Sequence, residues 1–221
     1  LLPCRADMCV GKCSRIVGPC LLALGTLSVA ANILLLFPGG ASKYLLEGHI
    51  SRHALAAPGV WGGGIPVSTV GHTPAFWSPA DSRCPPAPPC PPQAFISTVL
   101  SKLAFLGAAA CFVLSGVGLT NGPLCLYNAS EHGLGHGAIW HYPFPDAGSI
   151  LHLLPSPSHR AKVYLYNWHT WSICLEPEGI VAWNVVLFSL LLLISVAEMA
   201  LAFLQIINGC LGCLCGFCEG K

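Results

Sequence analysis

Long uncharged apolar stretches set the pattern of this chain. Residues 16–37 carry no charge and meet the roughly 20 residues that a helix needs to cross a bilayer core. Lys12 and Arg15 precede this run with no acid after Met8, which predicts a cytosolic N-terminus. A cleaved signal peptide fits less well, because the run exceeds a usual signal core and no clear small-x-small site follows. "FPGG" at 37–40 ends the helix. A second helix is expected over 99–120, clearest over 103–120, bounded by "TNGP" at 120–123. Its small residues include Ala104, Gly107, Ala108, Cys111, Ser115, Gly116 and Gly118. Such faces let membrane helices approach closely, which predicts packing within a bundle, with a dimer face as the sharper alternative. A third helix is expected over 180–207, with Glu198 as its only charge and Trp183 at an interfacial position.

Between the first two runs, residues 53–80 are also uncharged but contain Pro58, Pro66, Pro74, Pro79 and the triplet Gly62-Gly63-Gly64. Proline in a helix interior costs about 3 kcal/mol in water, although neighbouring membrane helices can satisfy freed carbonyls. This stretch decides the topology. The sequon Asn128-Ala129-Ser130 and the loop cysteines Cys125 and Cys174 favour an outside or lumenal loop. From a cytosolic start, the loop reaches that side only after an odd number of crossings; a further crossing near 53–80 would restore consistency, although four prolines make a poor helix, and three crossings are the alternative.

Composition agrees with a polytopic membrane protein: 54% of residues are hydrophobic and only 9% charged, against about a quarter charged in soluble domains. A net charge of +1 gives no electrostatic case for nucleic acid. The 13 cysteines cluster near both ends, which suggests two redox environments. Leu1 precedes the first methionine, Met8, and residues 1–7 read as translated upstream sequence. No repeat of solenoid length appears.

Several groups are candidate sites. Cys125 and Cys174 are the cysteines of the large loop and are expected to form an extracellular disulfide. Asn128 is the glycosylation candidate. Cys9, Cys13, Cys210, Cys213, Cys215 and Cys218 flank membrane runs and are acylation candidates. The last four read C-x2-C-x-C-x2-C, but this spacing is too tight and apolar for an ordinary zinc fold. Glu198 is an intramembrane acid, costly unless paired. It is expected to pack against Asn32 or another polar group, with partner contact and ion or proton transport as alternatives. Gln205 and Asn208 would act as interhelical polar contacts. His132, His136 and His141 are loosely spaced and read as solvated loop residues rather than a zinc site. No nucleophile elbow, phosphate loop, zinc-protease helix or dinucleotide fingerprint appears. No cofactor, metal or catalytic residue is therefore expected.

A family resemblance rests on motifs in order along the chain. They are "MCVGKCSRIVG" at 8–18, "ANILLLFPGG" at 31–40, "EGHISR" at 47–52, "GVGLTNGPLCL" at 116–126, "TWSICLEPEGIVAWNVVLFS" at 170–189 and "LQIINGCLGCLCGFC" at 204–218. With these, the chain resembles the L6 group of four-span membrane proteins. The family pattern continues from the glycine triplet into a second span and a short cysteine-rich loop. Here nine prolines fill 66–92 instead, and the simplest account is a shifted reading frame or wrong exon edge, with a real divergent isoform as the alternative. Residues 150–163 read as a second insertion.

The resemblance implies an all-α, tetraspanin-like helical bundle: four spans in the family, three clear ones here and a disrupted second. The expected layout is a cytosolic N-terminus over 1–15, a helix over 16–37, a first extracellular loop over 38–56, a degraded span over 57–80 and a Pro/Cys-rich loop over 81–98. A helix over 99–120, a large extracellular loop over 121–179, a helix over 180–207 and a cytosolic cysteine-rich tail over 208–221 complete it. It further implies a non-enzymatic plasma-membrane adaptor that organises receptors, integrins and tetraspanins and influences adhesion, migration and proliferation. Endosomal and lysosomal membranes and self-association are left open. A small transporter or channel subunit using Glu198 is one alternative. A claudin-like junctional protein is another, disfavoured because 37–61 lacks the cysteine pair of that class.

Overall fold

Helices form where the apolar runs lie. The computed structural model describes residues 4–72, 92–128, 137–144, 165 and 168–218, with side chains over 16–70, 98–128, 137–144, 165, 169 and 171–210. Helix α1 covers Cys4–Leu36, α2 Lys43–Leu46, α3 Arg52–Leu55, α4 Ile65–His72, α5 Pro92–Asn121 and α6 Ile180–Cys218. A π-helical turn at Gly59–Gly64 leads into α4. Strands β1 at Cys125–Asn128 and β2 at Ala138–His141 form an antiparallel pair.

Among the described residues three helices are long and apolar enough to cross a membrane: Ile16–Leu36, Thr98–Asn121 and Ile180–Cys210. Large apolar side chains on them stay uncovered by protein, including Leu193 at 70% exposure, Ile16 at 68% and Val186 at 64%. In water such faces would be buried; in lipid they meet hydrocarbon. The fold class is therefore an all-α membrane protein.

Several elements differ from the sequence reading. Helix α5 starts at Pro92, inside the expected loop over 81–98. Helix α6 runs to Cys218, through most of the expected tail. The proline-bearing stretch is helical from Gly59 to His72, first as a π turn and then as α4. Proline lacks an N–H and crowds the carbonyls of the turn before it. The wider π turn falls directly before Pro66 and accommodates the ring. Pro74, Pro79 and residues 150–163 lie outside the described residues.

The chain forms two compact units. One comprises Leu1–Val29, Gly59–Phe112 and Leu193–Lys221. Its core contains Val17, Leu21, Val67, Val70, Ala104 and Ala202, none more than 5% exposed. Small residues on α5 do the close packing there: Ala104, Ala108 and Cys111 are fully buried, and Gly107 lies against the Gly62 carbonyl. This part of the small-residue face is thus used within the chain. The other unit comprises Ala30–Pro58 and Val113–Leu192. Its core gathers Cys125, Phe144, Ile180 and Val181, with Leu165, Trp171 and Trp183 packed against them. Gly118 lies against the ring of buried Phe188.

Candidate functional site

The second unit carries a small cross-linked platform. Gly122, in the left-handed region at φ 75°, turns the chain out of α5. Strand β1 follows at once and pairs with β2, setting Cys125 opposite His141 and Leu126 opposite Trp140. A disulfide joins Cys125 to Cys174, with Cα atoms 5.6 Å apart. It brings a third segment alongside β1: the Leu126 N–H donates to the Glu176 carbonyl at 2.9 Å, and the Leu175 N–H to the Leu126 carbonyl at 2.8 Å. Gly179, at φ 68°, then admits the chain to α6. Trp183 Nε1 donates to the Leu34 carbonyl at 3.0 Å, so this aromatic ties α6 to the end of α1.

The segment between α1 and the π turn fastens onto the strand pair. Ser51 caps α3 by accepting from the Ala54 N–H at 3.3 Å. The Arg52 N–H donates to the Tyr142 hydroxyl at 3.1 Å. His49 stacks on Trp140 with centroids 4.0 Å apart and an interplanar angle of 3°, and buried Tyr44 meets the same indole at 6.2 Å. Such pairs add about 0.5–1.5 kcal/mol beyond their burial. Asn121 Nδ2 lies 2.9 Å from His53 Nε2, where an unprotonated ring nitrogen accepts from the amide.

Burial lowers the His53 pKa from its ordinary 6.5 because the charged imidazolium loses water. The unfolded chain therefore binds this proton first as pH falls, and stability is lost below about pH 6.5. Hydrogen exchange at residues 51–55 and 121–128 is expected to quicken between neutral and about pH 5, beyond the intrinsic pH effect. The His53→Gln variant is expected to lose that extra step. An unchanged response in the variant would remove His53 as its source.

Within the first unit, Glu198 is fully buried. Both its carboxylate oxygens lack a hydrogen-bond partner among the described residues. Its Oε2 and the hydroxyl of buried Ser28 flank Gly63, where an added Cβ would lie 2.8 Å and 2.5 Å from them. Ser28 donates to the Gly59 carbonyl at 3.0 Å, filling an acceptor at the start of the π turn. Gln205 is buried in the same unit, and Asn208 is half-buried. Asn32 belongs to the second unit and is fully buried.

Asn128 ends β1 and is half-buried; Ala129 and Ser130 of its sequon lie outside the described residues. Cys210 is exposed, while the side chains of Cys9, Cys13, Cys213, Cys215 and Cys218 lie outside the described set. His141 pairs through Nδ1 with the Tyr142 carbonyl at 3.1 Å, and His132 and His136 are outside it. Among the described residues no group of three metal-ligating side chains occurs.

Sequence reasoning missed His53, Trp140, Tyr142 and Ser28. The motif "EGHISR" contains His49 and Arg52, but nothing local signals their partners about ninety residues away. Ser28 lies in a uniformly apolar run and carries no signal beyond its hydroxyl.

Comparison with known proteins gives one consistent result. A family model described as "L6 membrane protein" matches residues 8–219. The chain is 39% identical over 223 residues to mouse transmembrane 4 L6 family member 19, covering 97% of each chain. It is 37% identical over 227 residues to human member 1, covering 96% of each, and 36% identical over 216 residues to bovine member 5, covering 97% of each. No solved structure matches the chain.

Proposed function

Because the chain belongs to the L6 membrane protein family, we propose that it is a non-enzymatic adaptor at the plasma membrane, gathering integrins, receptors and tetraspanins laterally. The observation that carries this reading is the disulfide-bonded platform of β1, β2 and 174–176. A rigid platform on membrane helices suits recognition of a neighbouring protein, because little order has to be gained on contact. Residues 121–179 face outward in this reading, with Asn128 glycosylated and the flanking cysteines, Cys9, Cys13 and Cys210–Cys218, acylated on the cytosolic side. Helix α4 belongs to the second crossing in this reading. Adhesion, migration and proliferation then change through the partners held in one membrane patch. Passage through endosomal or lysosomal membranes and self-association fit the same reading.

Membrane-impermeant crosslinking on intact cells tests it. The full chain is expected to recover integrins or other receptors. The Cys125→Ser/Cys174→Ser variant, at matched surface level, is expected to recover severalfold less. A glycosidase shift abolished by Asn128→Gln reports the side on which the loop lies. Equal recovery by both chains, or none by the native chain, would remove the platform from partner binding.

A small transporter or channel subunit is a second reading, favoured by the buried Glu198 carboxyl, which has no hydrogen-bond partner among the described residues. Loss of ion flux in Glu198→Gln, with partner recovery intact, would select it.

A further inference from the structure

A cavity of about 610 Å3 opens beside the strand pair. Arg52 brings a guanidinium and His53 and His141 bring imidazole rings; Trp140, Tyr142 and Phe144 bring aromatic faces; Asn121 and Leu124 complete it. Among the described residues no acidic side chain lines it. Among the described residues the Arg52 guanidinium makes no ion pair, and the nearby Glu47 carboxylate instead meets His49 at 3.3 Å. Arg52 is exposed, so its charge is free to meet a ligand. Asn121, one of the lining residues, has a buried Oδ1 without a hydrogen-bond partner among the described residues.

Position selects the class of ligand. Asn121 is the last residue of the apolar helix Thr98–Asn121, so the cavity lies where a spanning helix leaves hydrocarbon. Lipid headgroups occupy that level, and tryptophan and tyrosine are enriched there. The volume is within the range of small-molecule sites and exceeds what a bare inorganic anion fills. Guanidinium meets phosphate oxygens in a matched, two-pronged geometry.

We propose that this cavity binds the phosphodiester headgroup of a membrane phospholipid, with Arg52 pairing to the phosphate and the aromatic wall of Trp140, Tyr142 and Phe144 covering the glycerol end. The site holds one lipid at the edge of the platform. It is independent of which protein partners the platform meets.

Native mass spectrometry of the full chain in detergent tests the assignment, with the platform disulfide verified by intact mass. The probes are phosphatidylglycerol, diacylglycerol with the same acyl chains, and inorganic phosphate. The native chain is expected to retain one phosphatidylglycerol in preference to diacylglycerol. Arg52→Gln is expected to weaken that retention roughly tenfold, and Arg52→Lys to recover part of it because charge survives while the fork is lost. Equal retention of diacylglycerol would reduce the cavity to an apolar cleft. Competition by inorganic phosphate at the lipid's own concentration would make it a free-anion site. An unchanged Arg52→Gln variant would remove the guanidinium from the site. Each of these results overturns the lipid assignment while leaving the adaptor reading untouched.

Discussion

Replacing Cys125 and Cys174 together by serine is expected to destabilise the strand platform by about 4 kcal/mol. Loop length sets this magnitude: the bridge closes a separation of 49 residues, and the entropy removed from the unfolded loop rises only logarithmically with its size. Local packing adds to this. Cys125 is fully buried in a cluster with Phe144, Ile180 and Val181, so a serine hydroxyl there would need a hydrogen bond the cluster does not offer. Without the bridge, two backbone hydrogen bonds hold residues 174–176 against β1, each worth about 1 kcal/mol net. Hydrogen–deuterium exchange should therefore rise steeply in 125–128, 138–141 and 174–176. The first unit, whose core of Val17, Leu21, Val67, Val70, Ala104 and Ala202 contains no residue of this cluster, should keep its protection. Equal protection of the platform in the double variant would show that strand pairing and aromatic contacts suffice without the cross-link.

The spanning helices were legible because they depend on one property that the sequence displays directly. Hydrocarbon demands a long apolar run with internally satisfied backbone groups, and Ile16–Leu36, Thr98–Asn121 and Ile180–Cys210 supply it. Their ends were less legible, because membrane thickness sets the span but not the helix. Helix α6 continues to Cys218 since the small and apolar residues after 207 contain no breaker strong enough to stop it. The helical Gly59–His72 stretch was obscured by Pro58, Pro66 and three glycines, residues that weaken a helix in water. Here they allow a wide turn and close helix approach. The strand pair left almost no trace. "CLYN" and "AIWH" are four residues each, and no two-residue hairpin turn joins them. What makes them strands is tertiary: the bridge to Cys174, and the rings of Tyr44 and His49 against Trp140. The cavity beside them was invisible for the same reason, since Arg52, Asn121 and Tyr142 come from three separate segments.

A leucine at Gly62 is expected to destabilise the first unit by roughly 3 kcal/mol or more, beyond the usual overpacking cost. An added Cβ there would lie 2.7 Å from the Gly107 carbonyl oxygen, 2.8 Å from Cys111 Cβ and 3.0 Å from the Cys111 N–H nitrogen. These neighbours are main-chain or near-main-chain atoms of α5, which cannot swing aside, so the helices must separate. Lipid offers no hydrophobic force to drive them back together. Gly63 makes the contrast. Its added Cβ would meet Ser28 Oγ, Glu198 Oε2 and, at 3.2 Å, Ser28 Cβ, side-chain atoms outside α5, so Gly63→Ala should disturb the approach of α5 less. The buried Cys111 thiol gives a direct readout. In the native chain its alkylation should be slow beside that of exposed Cys20 and Cys210. Peptide-level mass spectrometry should find Cys111 modified many-fold faster in Gly62→Leu and little faster in Gly63→Ala. Equal rates in the two variants would mean that the π turn does not depend on close approach to α5. The glycine triplet would then serve the bend before Pro66 rather than helix packing.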